Sequence, residues 1–211
     1  MCRSSDFYHL TEVSDEKRKE IEGRMKGAGF DFKIVQIEQI ENKQLKEAYD
    51  HSKEETAAKR GDASEKWLFR GTQEHSSETI CKRGFGTVTK EKGGNLQGVF
   101  YAVHAKHANK YAHVTTKQKE EKIIPKTLED DMKGQASNVE QMFWAQVITG
   151  NAYPYSRESD SSDSTVYIDD ERYDSAHKDA GNEKETFIVS KPDRAYPAYL
   201  ITYECFDAAS P

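Results

Sequence analysis

The sequence predicts an α+β protein in which short strands outnumber helices. Its apolar segments are mostly short runs that stop at glycine or at polar residues, such as residues 67–69 and 142–148. The amphipathic segments are few and lie mainly in the first half of the chain. A doubly wound fold would alternate strands and helices along its whole length, so this pattern favours an α+β sheet protein. With 211 residues, the chain has the size of one domain.

Helical patterns occur in four segments. In residues 15–26, two apolar side chains lie four positions apart, which predicts a helix that begins near Ser14. This helix should end before Gly27 or Gly29. The other predicted helices are residues 42–59, which Gly61 ends, residues 80–85 and residues 105–113.

The strand predictions rest on short apolar runs, and Trp144 within one of them is expected in the core. The predicted strands are residues 32–37, 67–69, 98–103, 142–148, 187–189 and 199–203, with a proline-containing turn between the last two. Predicted loops are residues 86–96, 117–122, 128–133 and 156–164, and Tyr196-Pro197 is predicted as a turn.

Charge and cysteine content narrow the functional classes. The chain has 31 Lys+Arg and 37 Asp+Glu, a formal charge of −6, and these residues are interspersed. A nucleic-acid backbone calls for a basic stripe, which is missing here, so no nucleic-acid binding is predicted. Cys2, Cys81 and Cys205 are an odd number without metal-ligand spacing, so we expect a reducing compartment, either cytoplasm or nucleus. No apolar run reaches membrane-spanning length, and no signal peptide is evident.

Two further clusters, one of histidines and one of acidic residues, contain residue types that bind metal ions. His104, His107 and His113 have partly helical spacing, but no cysteine or carboxylate group completes a zinc site, so no metal is predicted. The acidic residues 169–171 lack the spacing of a calcium loop and are interpreted as a solvated insertion.

Five separated segments, in order, resemble the catalytic domain of the poly(ADP-ribose) polymerase (PARP) family, closest to its mono-ADP-ribosylating members. The segments are residues 7–10 with 32–40, residues 68–72, residues 80–85 with 98–102 and Tyr111, residues 142–150, and residues 173–175 with 196–203. Leu68-Phe69-Arg70-Gly71-Thr72 is similar to the family's Leu-Phe-His-Gly-Thr, and Gly98-Val99-Phe100-Tyr101-Ala102 with Tyr111 is similar to Gly-x-Tyr-Phe-Ala and its following helix. Residues 196–203 are similar to Tyr-Pro-Glu-Tyr-Leu-Ile. The resemblance implies the ADP-ribosyltransferase fold, with mixed, mainly antiparallel sheets and a few flanking helices. It implies a domain at residues 7–206 between tails at 1–6 and 207–211.

The resemblance also implies a set of site residues. In the family, a histidine holds the adenosine-side ribose of NAD, a tyrosine lines the nicotinamide pocket and a glutamate assists the ribose hydroxyl. Carried over, these positions are Arg70, Phe100 and Thr186, so all three are substituted. A small residue that bonds the nicotinamide carboxamide falls on Ala108. Two features remain, the backbone of Gly71 and the ring of Tyr111, on which nicotinamide would stack.

Two interpretations of Arg70 stay open. Its guanidinium can fill the pocket, or it can bind a pyrophosphate with two parallel hydrogen bonds. The second interpretation resembles toxin-like ADP-ribosyltransferases, which use an arginine and a Glu-x-Glu element. Glu183-Lys184-Glu185 has that spelling, but strand alternation predicts that Glu185 faces away from position 186.

The sequence therefore predicts a PARP-like domain with weak or absent transferase activity that keeps part of the nicotinamide pocket or serves as a binding module. The alternative is an active mono-ADP-ribosyltransferase that transfers ADP-ribose from NAD to protein through Arg70 and Glu185. A third hypothesis is an interaction module that uses outer loops such as residues 156–170. NAD or a related nucleotide is the expected small molecule, a protein is the expected acceptor or partner, and the chain is expected to be a monomer.

Overall fold

A mainly antiparallel sheet with four helices forms the described part of the protein. The computed structural model describes residues 3–4, 6–27, 30–71, 75–86, 89–90, 97–115, 139–155, 171–181 and 183–206. The helices are α1 (Asp15–Met25), α2 (Lys43–Arg60), α3 (Ser77–Arg83) and α4 (Ala105–Asn109). The strands are β1 (Arg3–Ser4), β2 (His9–Glu12), β3 (Phe32–Glu41), β4 (Glu65–Gly71), β5 (Thr89–Lys90), β6 (Gln97–Ala102), β7 (His113–Thr115), β8 (Val139–Ile148), β9 (Ala152–Pro154), β10 (Ser175–Lys178), β11 (Thr186–Val189) and β12 (Ala195–Cys205).

Side-chain caps set the beginnings of the first three helices. Ser14 accepts a hydrogen bond from the backbone of α1, which ends at Met25 and so confirms the predicted limits. Asn42 caps α2 in the same way, and Ser76 caps α3. Gly61 ends α2 with a φ of +86°, a left-handed conformation that glycine adopts without strain.

The sequence prediction was wrong at two elements that flank the site. The helix predicted over residues 105–113 stops at Asn109, because the next amides bond three residues back in tight turns and His113 opens β7. Tyr196 and Pro197 lie inside β12 rather than in a turn, at an irregularity of its pairing with β8. A 3₁₀ turn at Pro192–Arg194 separates β11 from β12. The predicted loops at residues 117–122, 128–133 and 156–164, and most of residues 86–96, lie outside the described residues.

The order of the strands places β8 and β4 at the centre of the sheet. The strands follow the order β1-β2-β3-β12-β8-β4-β6-β11-β10-β9, with β5 paired to β6 and β7 paired to β8. All described pairs are antiparallel except β9 with β10. This arrangement confirms the predicted α+β class with a mainly antiparallel sheet.

The two faces of the sheet are covered by different helices. On one face, called the α4 face, α1 and α4 pack over apolar side chains of β4 and β8, including Phe69 and Trp144. On the other, called the α3 face, Ile80 of α3 packs with Tyr101 and Phe143. Each large apolar side chain fully buried in these layers contributes roughly 1.5–3 kcal/mol to stability. Trp144 is 3% exposed, which confirms its predicted place in the core.

A buried carboxylate joins the end of α2 to the 3₁₀ turn. Asp174 is fully buried and bonds to Arg60 at 2.8 Å and to Arg194 at 3.2 Å. It also accepts the backbone N–H of Asn151 at 2.9 Å. Burial opposes the charge, but these hydrogen bonds and the two guanidinium groups outweigh it and hold the pKa of Asp174 below its usual value.

Replacing Asp174 with asparagine should lower the free energy of unfolding by about 3–5 kcal/mol at pH 7, because the buried Arg194 and the partly buried Arg60 lose their counter-charge. Urea denaturation measures this loss. The control is Glu47→Gln, which removes one partner of an exposed pair with Lys43 and should cost less than about 0.5 kcal/mol.

The difference between the wild type and the Asp174→Asn variant should also depend on pH. Because the folded pKa is lowered, the stabilisation by Asp174 is complete above its unfolded pKa of about 3.9 and is lost as the pH falls through the folded value. The gap between the two denaturation midpoints should therefore narrow only below about pH 4. If the difference between the two denaturation midpoints stays constant down to pH 2, Asp174 is not the charged partner of the two arginines.

Candidate functional site

Three neighbouring strands bring the candidate residues together. Arg70 lies near the end of β4, Phe100 in β6 and Thr186 at the start of β11. In the sheet, Thr186 lies opposite Ala102 of β6, and Ala102 lies opposite Phe69 of β4. The three positions thus fall within two residues of one row across the sheet.

Strand alternation divides these side chains between the two faces. Residues directly opposite each other in a sheet point to the same side, and successive residues point to opposite sides. Phe100 and Thr186 therefore share the α4 face, since they are two residues apart in the paired rows of β6 and β11. Arg70 follows Phe69 and lies on the α3 face.

The side chain of Arg70 crosses the point where β4 and β6 separate. Within the described residues the two strands share one pair of opposite residues, Phe69 and Ala102. Just beyond it, Arg70 Nη1 donates a hydrogen bond to the carbonyl oxygen of Phe100 at 2.9 Å. The guanidinium carbon lies 5.8 Å from the centre of the Tyr101 ring, a cation–π contact. The half-buried side chain of Arg70 thus connects β4 and β6 just beyond Phe69 and Ala102, their one described pair.

Gly71 is required by the packing of α4. A Cβ atom at this position would lie 2.2 Å from the carbonyl oxygen of Tyr111 and 2.7 Å from that of Ala108. Such distances are impossible without moving the backbone after α4. The missing side chain therefore gives room to the protein's own helix end.

The ring of Tyr111 is presented to solvent. Its side chain is 55% exposed and meets His107 edge-on, with ring centres 6.0 Å apart. Ala108, the neighbour that would replace a hydrogen-bonding serine, is buried and has no polar side-chain atom. Of the carried-over features, an aromatic surface is present here, and a carboxamide partner at position 108 is not.

Thr186, at the position carried over from the family's glutamate, has a neutral side chain. It is 6% exposed, and its hydroxyl donates to the carbonyl oxygen of Lys184 at 3.1 Å. Lys178 of β10 lies directly opposite it and so shares the α4 face. No sequence pattern pointed to Lys178, because the short strand β10 has no apolar pattern.

Glu185 lies on the α3 face and has a partner there. Its carboxylate is 2.9 Å from Nε2 of His177, and the imidazole stacks on Phe187 at 4.4 Å between ring centres. His177 lies opposite Phe187, which places both on the side of the sheet away from Thr186. The geometry therefore joins Glu185 to His177, which sequence reasoning missed, and separates it from Phe100.

Cations gather around His107. Burial lowers the pKa of its imidazole, and the positive charges of Lys110, Lys184, Lys178 and His104 lower it further.

Among the described residues, no group of three potential metal-ligand side chains occurs. No described helix has the length and apolarity needed to cross a membrane.

Comparison with known proteins decides the family. Residues 12–205 match the family model described as the poly(ADP-ribose) polymerase catalytic domain. The chain belongs to the PARP catalytic-domain family. It is 30% identical over 178 residues to a protein of Dictyostelium discoideum named "probable poly [ADP-ribose] polymerase". This match covers 82% of the chain and 44% of the relative, so the chain spans less than half the length of that protein.

Membership in the PARP family confirms the resemblance and the expected fold, and PARP domains use NAD as their substrate. Within this fold, the structure places Phe100 and Thr186 on one face with α4, and Arg70 and Glu185 on the other. The roles of these residues toward NAD remain predictions.

Replacing Gly71 with alanine should destabilise the protein by more than about 2 kcal/mol, because the new methyl group would displace the backbone after α4. Chemical denaturation measures the loss. The matched control is Gly23→Ala in α1, where nothing lies within 4 Å of the added methyl group. This control should stabilise the protein by roughly 0.5–1 kcal/mol, because alanine favours the helix. Equal effects at both positions would contradict the packing role of Gly71.

Proposed function

We propose that this chain is a PARP-family domain with weak or absent ADP-ribosyl transfer, which keeps an aromatic part of the nicotinamide site or serves as a binding module. The observation that carries the proposal is the Arg70 side chain, which bonds to Phe100 across the gap between β4 and β6. A dinucleotide that entered between these strands would have to displace that contact.

Electrostatics around Thr186 support the same conclusion. ADP-ribosyl transfer breaks the bond between nicotinamide and the anomeric carbon of ribose, and positive charge develops on that carbon. A catalyst stabilises such charge with an oppositely charged or dipolar group. Here the third position is a neutral threonine, and Lys178 lies opposite it on the same face.

A nearby positive charge such as that of Lys178 can slow ADP-ribosyl transfer appreciably. At an effective dielectric constant near 20, two unit positive charges separated by about 8 Å repel each other by roughly 2 kcal/mol. That corresponds to a rate lower by about thirtyfold. The loss of the carboxylate that the family uses adds to this cost.

The alternative, an active mono-ADP-ribosyltransferase that uses Arg70 and Glu185, has one observation in its favour. Both side chains lie on the α3 face, so one ligand on that face can reach toward both. Against it, Glu185 is hydrogen-bonded to His177, and Arg70 is bonded to a backbone carbonyl.

Compartment and assembly are also part of the proposal. Cys81 and Cys205 are free thiols, which fits a reducing compartment, either cytoplasm or nucleus. We take the chain to act as a monomer toward a protein acceptor or partner.

Thermal unfolding with and without NAD tests the binding step. At 1 mM NAD the wild type should shift its midpoint by less than about 1 °C, because a ligand with a millimolar Kd stabilises by only about 0.4 kcal/mol at that concentration. The variant Arg70→His with Phe100→Tyr should shift further, since the guanidinium no longer connects the strands. Lys43→Ala, an exposed change on α2, is the control and should behave as the wild type.

Automodification with labelled NAD tests the chemical step. The wild type should incorporate no label, and the variant that adds Thr186→Glu and Lys178→Ala to the two changes above should gain a measurable signal. Circular dichroism checks that this variant is folded. If the wild type already labels itself, and both Arg70→Ala and Glu185→Gln abolish the labelling, the alternative replaces the proposal.

A further inference from the structure

The surface around α4 has a charge opposite to that of the whole chain. We call it the basic surface and define it by Lys106, His107, Lys110, Tyr111, Lys178 and Lys184. The chain as a whole carries a formal charge of −6, so a group of four lysines on one surface is a local reversal of sign. Such reversals mark surfaces that attract a ligand or partner of the opposite charge.

Specific contacts join the parts of this surface. The ammonium group of Lys106 lies 4.0 Å from a carboxylate oxygen of Glu183, which connects α4 to the turn before β11. Lys178 lies opposite Thr186 at the end of β10 and on the α4 face. The charges of Lys110 and Lys184 reach His107 strongly enough to contribute to its lowered pKa, after burial itself. The lysines of the helix and those of the β10–β11 hairpin thus form one surface.

Three carboxylates belong to the β10–β11 hairpin, and two of them have cationic partners, whereas Asp179 accepts the backbone N–H of Gly181. Glu183 is paired with Lys106, and Glu185 is bonded to His177 at 2.9 Å on the other face. Neither carboxylate cancels the field of Lys110 and Lys184, which are both exposed. Among the described residues, Lys110 and Lys184 therefore present positive charge to solvent on this surface.

An exposed aromatic ring accompanies these charges. Tyr111 is 55% exposed, the largest exposed fraction among the large apolar side chains of the described residues. Tyrosine is one of the residue types that most often carry binding energy at protein interfaces, because its rigid ring buries a large area and its hydroxyl can bond. Its position beside His107 places this ring within the cationic field.

We propose that the basic surface binds an acidic peptide segment of a partner protein, with Tyr111 as the apolar anchor and Lys110 and Lys184 as charge contacts. This inference rests on the binding-module part of the proposed function, and its peptide-binding test is read separately from the NAD tests above. Lysines present mobile point charges rather than a rigid fork, which suits several carboxylates along a flexible segment.

Size and overall charge favour a peptide over a nucleic acid. Nucleic-acid binding proteins that depend on the backbone typically neutralise about 6–10 phosphates, whereas this surface offers four lysines on one short helix and one hairpin. A long polyanion would also extend over the remaining surface of a chain with a formal charge of −6. A short acidic segment meets the positive surface without that repulsion.

Fluorescence anisotropy with a short labelled peptide, in which glutamates alternate with glycines around a central leucine, tests the proposal. The wild type should bind this peptide at about 50 mM salt and release it as the salt is raised, because exposed charges are screened. The same peptide with glutamine in place of glutamate should not bind.

Matched variants separate the local surface from the net charge. Lys110→Glu with Lys184→Glu should weaken binding by about tenfold, since two attractive contacts become repulsive. Lys19→Glu with Lys43→Glu changes the net charge equally on α1 and α2 and should stay within about twofold of the wild type. Tyr111→Ala should weaken binding by about fivefold while leaving its salt dependence unchanged.

Three results would overturn the proposal. The first is the absence of binding by the glutamate peptide at low salt. The second is an equal loss in both double variants, which would reduce the effect to net charge. The third is tighter binding of a single-stranded oligonucleotide of the same length, which would make the surface a nucleic-acid site.

Discussion

The hydrogen bond from Arg70 to the carbonyl oxygen of Phe100 is the contact on which the state of the site depends. β4 and β6 pair at Phe69 and Ala102 and then separate, so the ladder between them ends at this point. A backbone carbonyl at such a separation needs a donor from elsewhere, since an unsatisfied polar group away from water costs about 1–3 kcal/mol. Here the donor comes from the chain itself. A side chain thereby joins the two strands beyond the last pair of their ladder.

Positively charged side chains lie on both faces of the sheet near Phe100 and Thr186. The guanidinium of Arg70 lies over the Tyr101 ring on the α3 face, while Lys178 lies beside Thr186 on the α4 face. Positive groups therefore flank the strands on both sides. Under the proposed function, this arrangement opposes a reaction that builds positive charge on a ribose carbon and favours the binding of an anionic group. Arg70 and Lys178 lie on opposite faces of the sheet, so removing Arg70 alone would leave the positive charge beside Thr186 in place.

The fold could be predicted from the sequence because its signals are local or regular. Caps at Ser14 and Gly61 and the apolar runs of the central strands each follow from a few neighbouring residues. The short strands β9 and β10 could not be predicted, since three or four residues without an apolar pattern form strands only through their partners in the sheet. The same holds for the site. Resemblance supplied Arg70, Phe100 and Thr186, but the pairing that brings His177 to Glu185 exists only in the folded sheet.

The motif around Gly71 shows why resemblance to a catalytic sequence does not by itself imply catalysis. The carbonyl oxygens of Tyr111 and Ala108 would lie 2.2 and 2.7 Å from a Cβ at position 71, so glycine is needed there for α4 to pack on β4. This requirement belongs to the fold and holds with or without a ligand. Position 186 is also buried, and its threonine hydroxyl bonds to the carbonyl oxygen of Lys184. The glycine of this motif is therefore explained by packing alone, and its presence is no evidence of transferase activity.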